Sequence, residues 1–153
     1  MSAKAPSHLH ANALLLGEKG LLLRGPSGSG KSALTLDLIS HYQARGDFAR
    51  LVGDDRVAVD AQNGRLVARP HPAIAGMIEV RGLGLMRVPF ERACVLSAIV
   101  DLCGAGEKPP RYPGEDEKTA LVQKIKLPRL VTEGCGSASV GRIGFFLQRI
   151  TTN

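Results

Sequence analysis

Gly25-Pro26-Ser27-Gly28-Ser29-Gly30-Lys31-Ser32 is the stretch on which the reading of this sequence turns. It fits G-x-x-x-x-G-K-[ST] at every fixed position. Before it, Leu21 to Leu23 is apolar; after it, Leu34, Leu38, Ile39 and Tyr42 recur at helical spacing, and Gly46 offers a stop. A strand, a glycine-rich turn and a helix in that order form the setting in which such a loop cradles phosphate. Glycines at 25, 28 and 30 let backbone N–H groups turn inward with no Cβ in the way. The helix N-terminus adds partial positive charge at the same point. Lys31 is placed to reach β- and γ-phosphates, and the Ser32 hydroxyl to ligate Mg²⁺. Residues 25–32 are therefore expected to hold a nucleoside triphosphate or a related polyphosphate.

Outward from the loop, the chain turns often, with 18 Gly and 9 Pro. Ala11 to Leu16, the turn Gly17-Glu18-Lys19-Gly20 and Leu21 to Leu23 read as a hairpin or two short strands. Arg56 to Asp60 alternates like a half-buried strand, Asn63-Gly64 is a hairpin turn, and Leu66 to Ala68 returns before Pro70 and Pro72 break the element. Met77 to Val80 and Val95 to Leu102 predict further strands, the second buried on both faces. Gly104 to Gly114 predicts an irregular loop. Leu121 to Leu127 and Ile143 to Ile150 are expected to be the last strands. The fold class is α/β, rich in sheet, with one helix and a single domain over residues 1–153.

Composition narrows the partners. At 153 residues, 44% hydrophobic and 22% charged, the chain has room for one domain with a real core. No apolar run approaches the roughly 18 residues a membrane span needs, so no membrane partner is expected. Met1 to His10 carries one Lys and no apolar centre, unlike a secretory signal. Cys94, Cys103 and Cys135 are odd in number and widely spaced, which argues against disulfides and zinc and for a cytoplasmic protein. Twenty basic residues against 14 acidic give +6 and favour anionic partners. Nucleic acid is not expected among them. Aromatic residues are 4%, Trp is absent, and the basic residues are scattered.

Catalysis needs more than a cradle. Leu51-Val52-Gly53-Asp54-Asp55 puts two carboxylates at the end of a short apolar stretch. One could reach a magnesium ion or its water shell. Two adjacent carboxylates repel in a low-dielectric cleft, which suits one of them to accept a proton from a hydroxyl nucleophile. A solvated turn is the competing reading. Glu79, in Met77-Ile78-Glu79-Val80, is a carboxylate in an apolar strand. A metal site, an ion pair with Arg81 or an exposed strand face would each account for it.

Three stretches taken together resemble one family, HPr kinase/phosphorylase, which acts on a serine of the phosphocarrier protein HPr. They are Gly25 to Ser32 with its helix, Gly53-Asp54-Asp55-Arg56-Val57 (near A-D-D-x-V) and Glu79-Val80-Arg81-Gly82-Leu83-Gly84 (near E-I-R-G-L-G). The resemblance covers about Leu9 to Arg142 and is clearest before Leu85. It implies a P-loop kinase domain with a core like that of phosphoenolpyruvate carboxykinase, a mixed β-sheet around the P-loop helix. ATP and Mg²⁺ are the implied cofactors, and HPr, inorganic phosphate and pyrophosphate the implied partners. Asp55 then resembles the family's base. Asp54 would support the metal-water shell or substrate, and Glu79 would be the second magnesium ligand beside Ser32. His10, fifteen positions before Gly25, matches the family's active-site histidine. Arg111, in the Pro-rich loop, matches a catalytic arginine, with Lys108 as its competitor there.

The chain also departs from the family. It resembles the short form known in alphaproteobacteria, without the extra N-terminal domain and the C-terminal helices that grip HPr. That bears on docking and on the homo-oligomer, a hexamer, that the resemblance implies. Ala33 stands where the family carries an acidic residue. Ser139 stands where it tends to carry a Lys tied to dephosphorylation, so the kinase is the first expectation and the phosphorylase the second. Two rivals remain at the level of sequence: a P-loop kinase for a small metabolite, and a nucleotide-binding regulator that transfers nothing.

Overall fold

The most apolar stretches belong in the middle of a sheet, and two of them lie side by side here. The second, Val95 to Leu102, is not buried on both faces throughout, since Val95 is exposed. In the computed structural model, which describes residues 6–104, 106–134 and 136–151, β3 (Lys19–Arg24) runs parallel to β9 (Cys94–Leu102). On the far side of β3 lie β2 (Ala11–Leu16) and then β4 (Ala49–Gly53), antiparallel at each step. The other edge of β9 is shared. Its first residues pair with β6 (Arg65–Pro70), which leads to β5 (Val57–Gln62) and β1 (Ser7–Leu9), all antiparallel. Its last residues pair in parallel with β11 (Ile125–Thr132), the partner of β10 (Thr119–Val122). Among the described residues this is one mixed sheet of nine strands.

Two apolar layers cover the sheet. Leu21 and Leu23 point into the layer under α1 (Lys31–Ala44) and α2 (Ser137–Thr151), while Leu22 points into the opposite one with Val57, Val59 and Leu66. β9 changes allegiance part-way. Cys94 and Leu96 face the second layer, and Ala98, Val100 and Leu102 face the helices. A register shift between Gly20 and Leu21 against β9 supplies the extra residue that reverses the alternation. The arm β7 (Met77–Val80) and β8 (Gly84–Arg87) forms a separate antiparallel pair, anchored by fully buried Ile78.

The hairpins at Gly17 and at Asn63-Gly64 form as their turn residues predict, Asn63 and Gly64 both taking positive φ. Two expectations need correction. Ile143 to Ile150 is not a strand; it lies in α2, because Val140, Ile143 and Leu147 recur at spacings of three and four and bury one stripe. Leu121 to Leu127 is not one strand but a hairpin. Gln123 and Lys124 both adopt positive φ and reverse the chain between β10 and β11. The strands β1 and β8 had no reading in the sequence. Cys94 and Cys103 are free thiols; Cys135 and residues 1–5 lie outside the described residues. No helix of the described residues is long and apolar enough to cross a membrane.

Candidate active site

The sheet brings two loops to one place. β3 and β4 both run antiparallel to β2, so both end beside the start of β2: Arg24 opposite Ala11, and Gly53 opposite Ala13. The glycine-rich loop of residues 25–32 leaves β3, Asp54-Asp55 leaves β4, and His10-Ala11-Asn12 lies between them.

The loop's shape depends on glycine. Gly30 caps α1 at φ 95° and Gly28 sits at φ 80°, both in the left-handed region that side chains disfavour. Across the loop, a Cβ on Gly134 would overlap the Ser29 carbonyl oxygen, so the segment just after β11 packs on the loop backbone itself. Lys31 Nζ donates to the carbonyl oxygens of Gly25 at 2.7 Å and Pro26 at 3.4 Å, which holds its ammonium along the inner rim.

Asp54 is 4% exposed, which removes the solvated-turn reading for it. Its carboxylate accepts from Asn12 Nδ2 (2.8 Å), Ser32 Oγ (2.6 Å) and the Glu79 N–H (3.0 Å). One buried charge therefore joins β2, the first turn of α1 and the β7–β8 arm. Asp55 turns the other way. It has φ 66°, its N–H donates to Asn12 Oδ1 (2.8 Å), and its carboxylate Oδ1 lies 3.1 Å from His10 Nδ1. Both members of that pair are about half exposed, at 51% and 54%. They line an open cleft of about 700 Å³ with Ser27, Gly28, Lys31, Ser32, Glu79 and Arg81. Glu79 is exposed there and makes no ion pair with Arg81 among the described residues.

A family model described as HPr Serine kinase C-terminal domain matches residues 3–92. That span covers more than half of the chain and contains His10, the glycine-rich loop, Asp54, Asp55 and Glu79. The chain belongs to the HPr serine kinase C-terminal domain family. It is similar to the HPr kinase/phosphorylase of Mycoplasma mycoides, 35% identical over 79 residues, or 52% of this chain and 23% of that protein. It is also similar to that of Clostridium tetani, 41% identical over 83 residues, or 54% and 25%. The matched part thus spans about a quarter of the length of these relatives. A solved structure titled Hpr(Ser) kinase/phosphatase from Coxiella burnetii shares the fold, with a TM-score of 0.74 at 23% identity over 94% of this chain and 95% of that one.

Within this HPr serine kinase C-terminal domain, oxygen donors dominate the cleft. Ser32 offers a hydroxyl, and Glu79 and Asp55 offer carboxylates. Among the described residues no three His, Cys, Asp or Glu side chains converge as a metal centre. Such a sparse, hard donor set fits magnesium, which takes one or two carboxylates and completes its octahedron with phosphate oxygens and water. Asp54 lies beneath the cleft, both its oxygens engaged by protein donors.

Arg111 is not brought to this cleft. It is exposed, stacked over the Tyr112 ring at 5.8 Å, and lines a separate depression of about 380 Å³ with Lys108, Arg129 and Arg142. It also lies beyond the residues that match the family. Ser139 is 1% exposed and donates to the Glu133 carbonyl, a contact at the start of α2.

Beside the loop, Asp101, next to last in β9, is gripped by two guanidinium groups. Arg24 reaches it at 2.7 and 2.8 Å and Arg129 at 2.5 Å. Burial pushes the Asp101 carboxyl up, but the hydrogen bonds and charges of the two arginines outweigh it and hold the group below the usual carboxylate range. The same bond raises Arg24.

Asn12 and Thr35 are the residues of this site that sequence reasoning missed. The available signal was one amide inside the apolar run Ala11 to Leu16, at the position whose parity matches Leu14 and Leu16 on the helix-facing side.

Proposed function

We propose that the chain transfers the γ-phosphoryl group of ATP to a serine hydroxyl of HPr. The observation that carries this reading is the Asp55–His10 pair, 3.1 Å apart, on the rim of the cleft that also holds Lys31, Ser32 and Glu79. A nucleotide-binding module needs the phosphate-binding loop alone; a kinase also needs a base beside it.

The loop's N–H groups and the start of α1 bind the phosphates, and Lys31 swings from its carbonyls onto the β- and γ-oxygens. Ser32 and Glu79 hold magnesium, which when bound neutralises charge gathering on the phosphates. Asp54 fixes the Ser32 hydroxyl and the Glu79 backbone from below. Asp55, with Oδ1 against His10, takes the proton of the attacking serine hydroxyl on its other oxygen. The serine oxygen then bonds to the γ-phosphorus as the bond to the β-phosphate bridging oxygen breaks, in line. In the reverse direction, an oxygen of inorganic phosphate attacks the phosphoserine phosphorus. The serine oxygen leaves with the proton Asp55 returns, and pyrophosphate is the product. With ATP as donor, the reaction belongs in the cytoplasm.

Phosphate-affinity electrophoresis of HPr from the same source, incubated with the chain and Mg-ATP, tests the reading. Serine-phosphorylated HPr is expected, lost in Lys31→Ala and Asp55→Asn, and reversed when inorganic phosphate is added after ATP removal. Bound ATP with no shift of HPr in any lane would overturn the kinase.

A further inference from the structure

Asn12 occupies a place where the fold calls for a hydrocarbon. Its neighbours on the same face of β2, Leu14 and Leu16, pack with Leu34 and Leu38 of α1, yet Asn12 is a fully buried amide. A buried amide without partners costs free energy; this one uses both Nδ2 protons and its oxygen. Nδ2 donates to Thr35 Oγ1 at 3.0 Å and to Asp54 Oδ1 at 2.8 Å, and Oδ1 accepts from the Asp55 N–H at 2.8 Å. The amide's orientation is fixed by its partners, because a backbone N–H can only meet the oxygen and a carboxylate can only meet the nitrogen.

Those three bonds span the two halves of the site. Thr35 Oγ1 in turn donates to the Lys31 carbonyl at 2.8 Å, so the amide reaches the first turn of α1, which bears Lys31 and Ser32. On its other side it holds the peptide N–H of Asp55, a non-glycine residue at φ 66°. That conformation is disfavoured for most L-residues, less so for Asp and Asn, and persists where neighbouring groups fix it. It is also what turns the Asp55 carboxylate toward His10 and the cleft, while Asp54 faces inward.

We infer that Asn12 is a positioning residue that sets the distance between the phosphate cradle and Asp55. The inference rests on the proposed phosphoryl transfer for its effect on rate, and on the Asp55 backbone for its physical basis. The turn at Asp55 is also closed by the Arg56 N–H donating to the Asp54 carbonyl at 2.7 Å, but the Asn12 amide is what ties it to the first turn of α1. Without that tie the base shifts relative to the cradle, and small misplacements cost large factors in rate.

The test compares the full chain with Asn12→Ala, and with Asn12→Ser should the alanine variant fail to fold. Thermal melting checks folding. Amide hydrogen exchange reads Asp55 against Leu51 and Val52 of β4, titration with a fluorescent ATP analogue and Mg²⁺ reads the cradle, and single-turnover phosphorylation of HPr reads the rate. The Asp55 amide is expected to exchange at least tenfold faster with β4 unchanged. Nucleotide affinity should stay within threefold, and the rate should fall at least thirtyfold. On an Asp55→Asn background the same substitution should cost less than threefold more; where that background is too slow to measure, the split between rate and affinity in the single variant decides. An Asp55 amide as protected as before, or rate and affinity falling together, would overturn the inference. Should HPr prove not to be the acceptor, the exchange measurement still decides whether Asn12 holds Asp55, so the two failures are distinguishable.

Discussion

Asp54, Asp55 and Asp101 are three carboxylates at the ends of strands around one glycine-rich loop, and their neighbours give them different tasks. Asp54 is buried and ties three elements together; Asp55 stands half in solvent against His10. Asp101 is spoken for by Arg24 and Arg129. Replacing it (Asp101→Asn) leaves two half-buried guanidinium groups facing a neutral amide and is expected to cost on the order of 2 kcal/mol in urea unfolding at pH 7. Its dependence on pH has a definite sign. The folded carboxyl titrates below its unfolded value, so the stabilisation is complete above about pH 4 and is lost as pH falls through the folded value. The difference in stability between the native chain and the variant should therefore shrink on acidification below pH 4; a difference that grows there would contradict the assignment. At this scale the sequence pointed to Asp54 and Asp55 by adjacency, but only packing tells the structural acid from the exposed one.

Elements closed by their own turn chemistry were legible, and those held by distant partners were not. The β5–β6 hairpin follows from Asn63-Gly64, and α1 follows from a loop whose last glycine caps it. The final segment misled because Phe145, Phe146 and Leu147 are consecutive and apolar. A short apolar run does not separate strand from helix by period alone. The structure separates them by burial: Ile143 and Leu147 lie inside, whereas Phe145 is 74% exposed. Truncating Ile143→Ala removes a fully buried side chain between α2 and the sheet and should destabilise the chain by about 3 kcal/mol in chemical denaturation. Phe145→Ala, on the outer face, should move it by less than 1 kcal/mol. Equal losses would mean that the helix does not present the face described. The β10–β11 turn owes its place to Gln123, whose side chain reaches Ser7, Val59 and Ala61 across the sheet. No local pattern announces such a bond.

Across the whole molecule, two apolar layers on a single sheet imply that neither opens alone. Cys94 reports on this. Buried at the start of β9, its thiol is pushed up to about 12 by burial. At pH 8 it should alkylate at least a thousandfold more slowly than an unfolded thiol, since the thiolate is the reactive form. Its labelling should track the global unfolding transition in urea, while Cys103, less buried, reacts earlier; early labelling of Cys94 would show that the second layer opens separately. The sequence by itself determined the glycine-rich loop, the helix behind it, the turns at Gly17 and Asn63-Gly64 and the chemical types at the site. Those depend on spacing along the chain and on the backbone freedom of glycine and asparagine. Tertiary structure alone decided that β3 and β4 end on either side of β2, which brings His10 and Asp55 to one cleft with Asn12 and Asp54 buried beneath it, and leaves Arg111 in another. It could not be otherwise, because strand order and register are set by which apolar faces bury each other, and that choice depends on residues far apart in the chain.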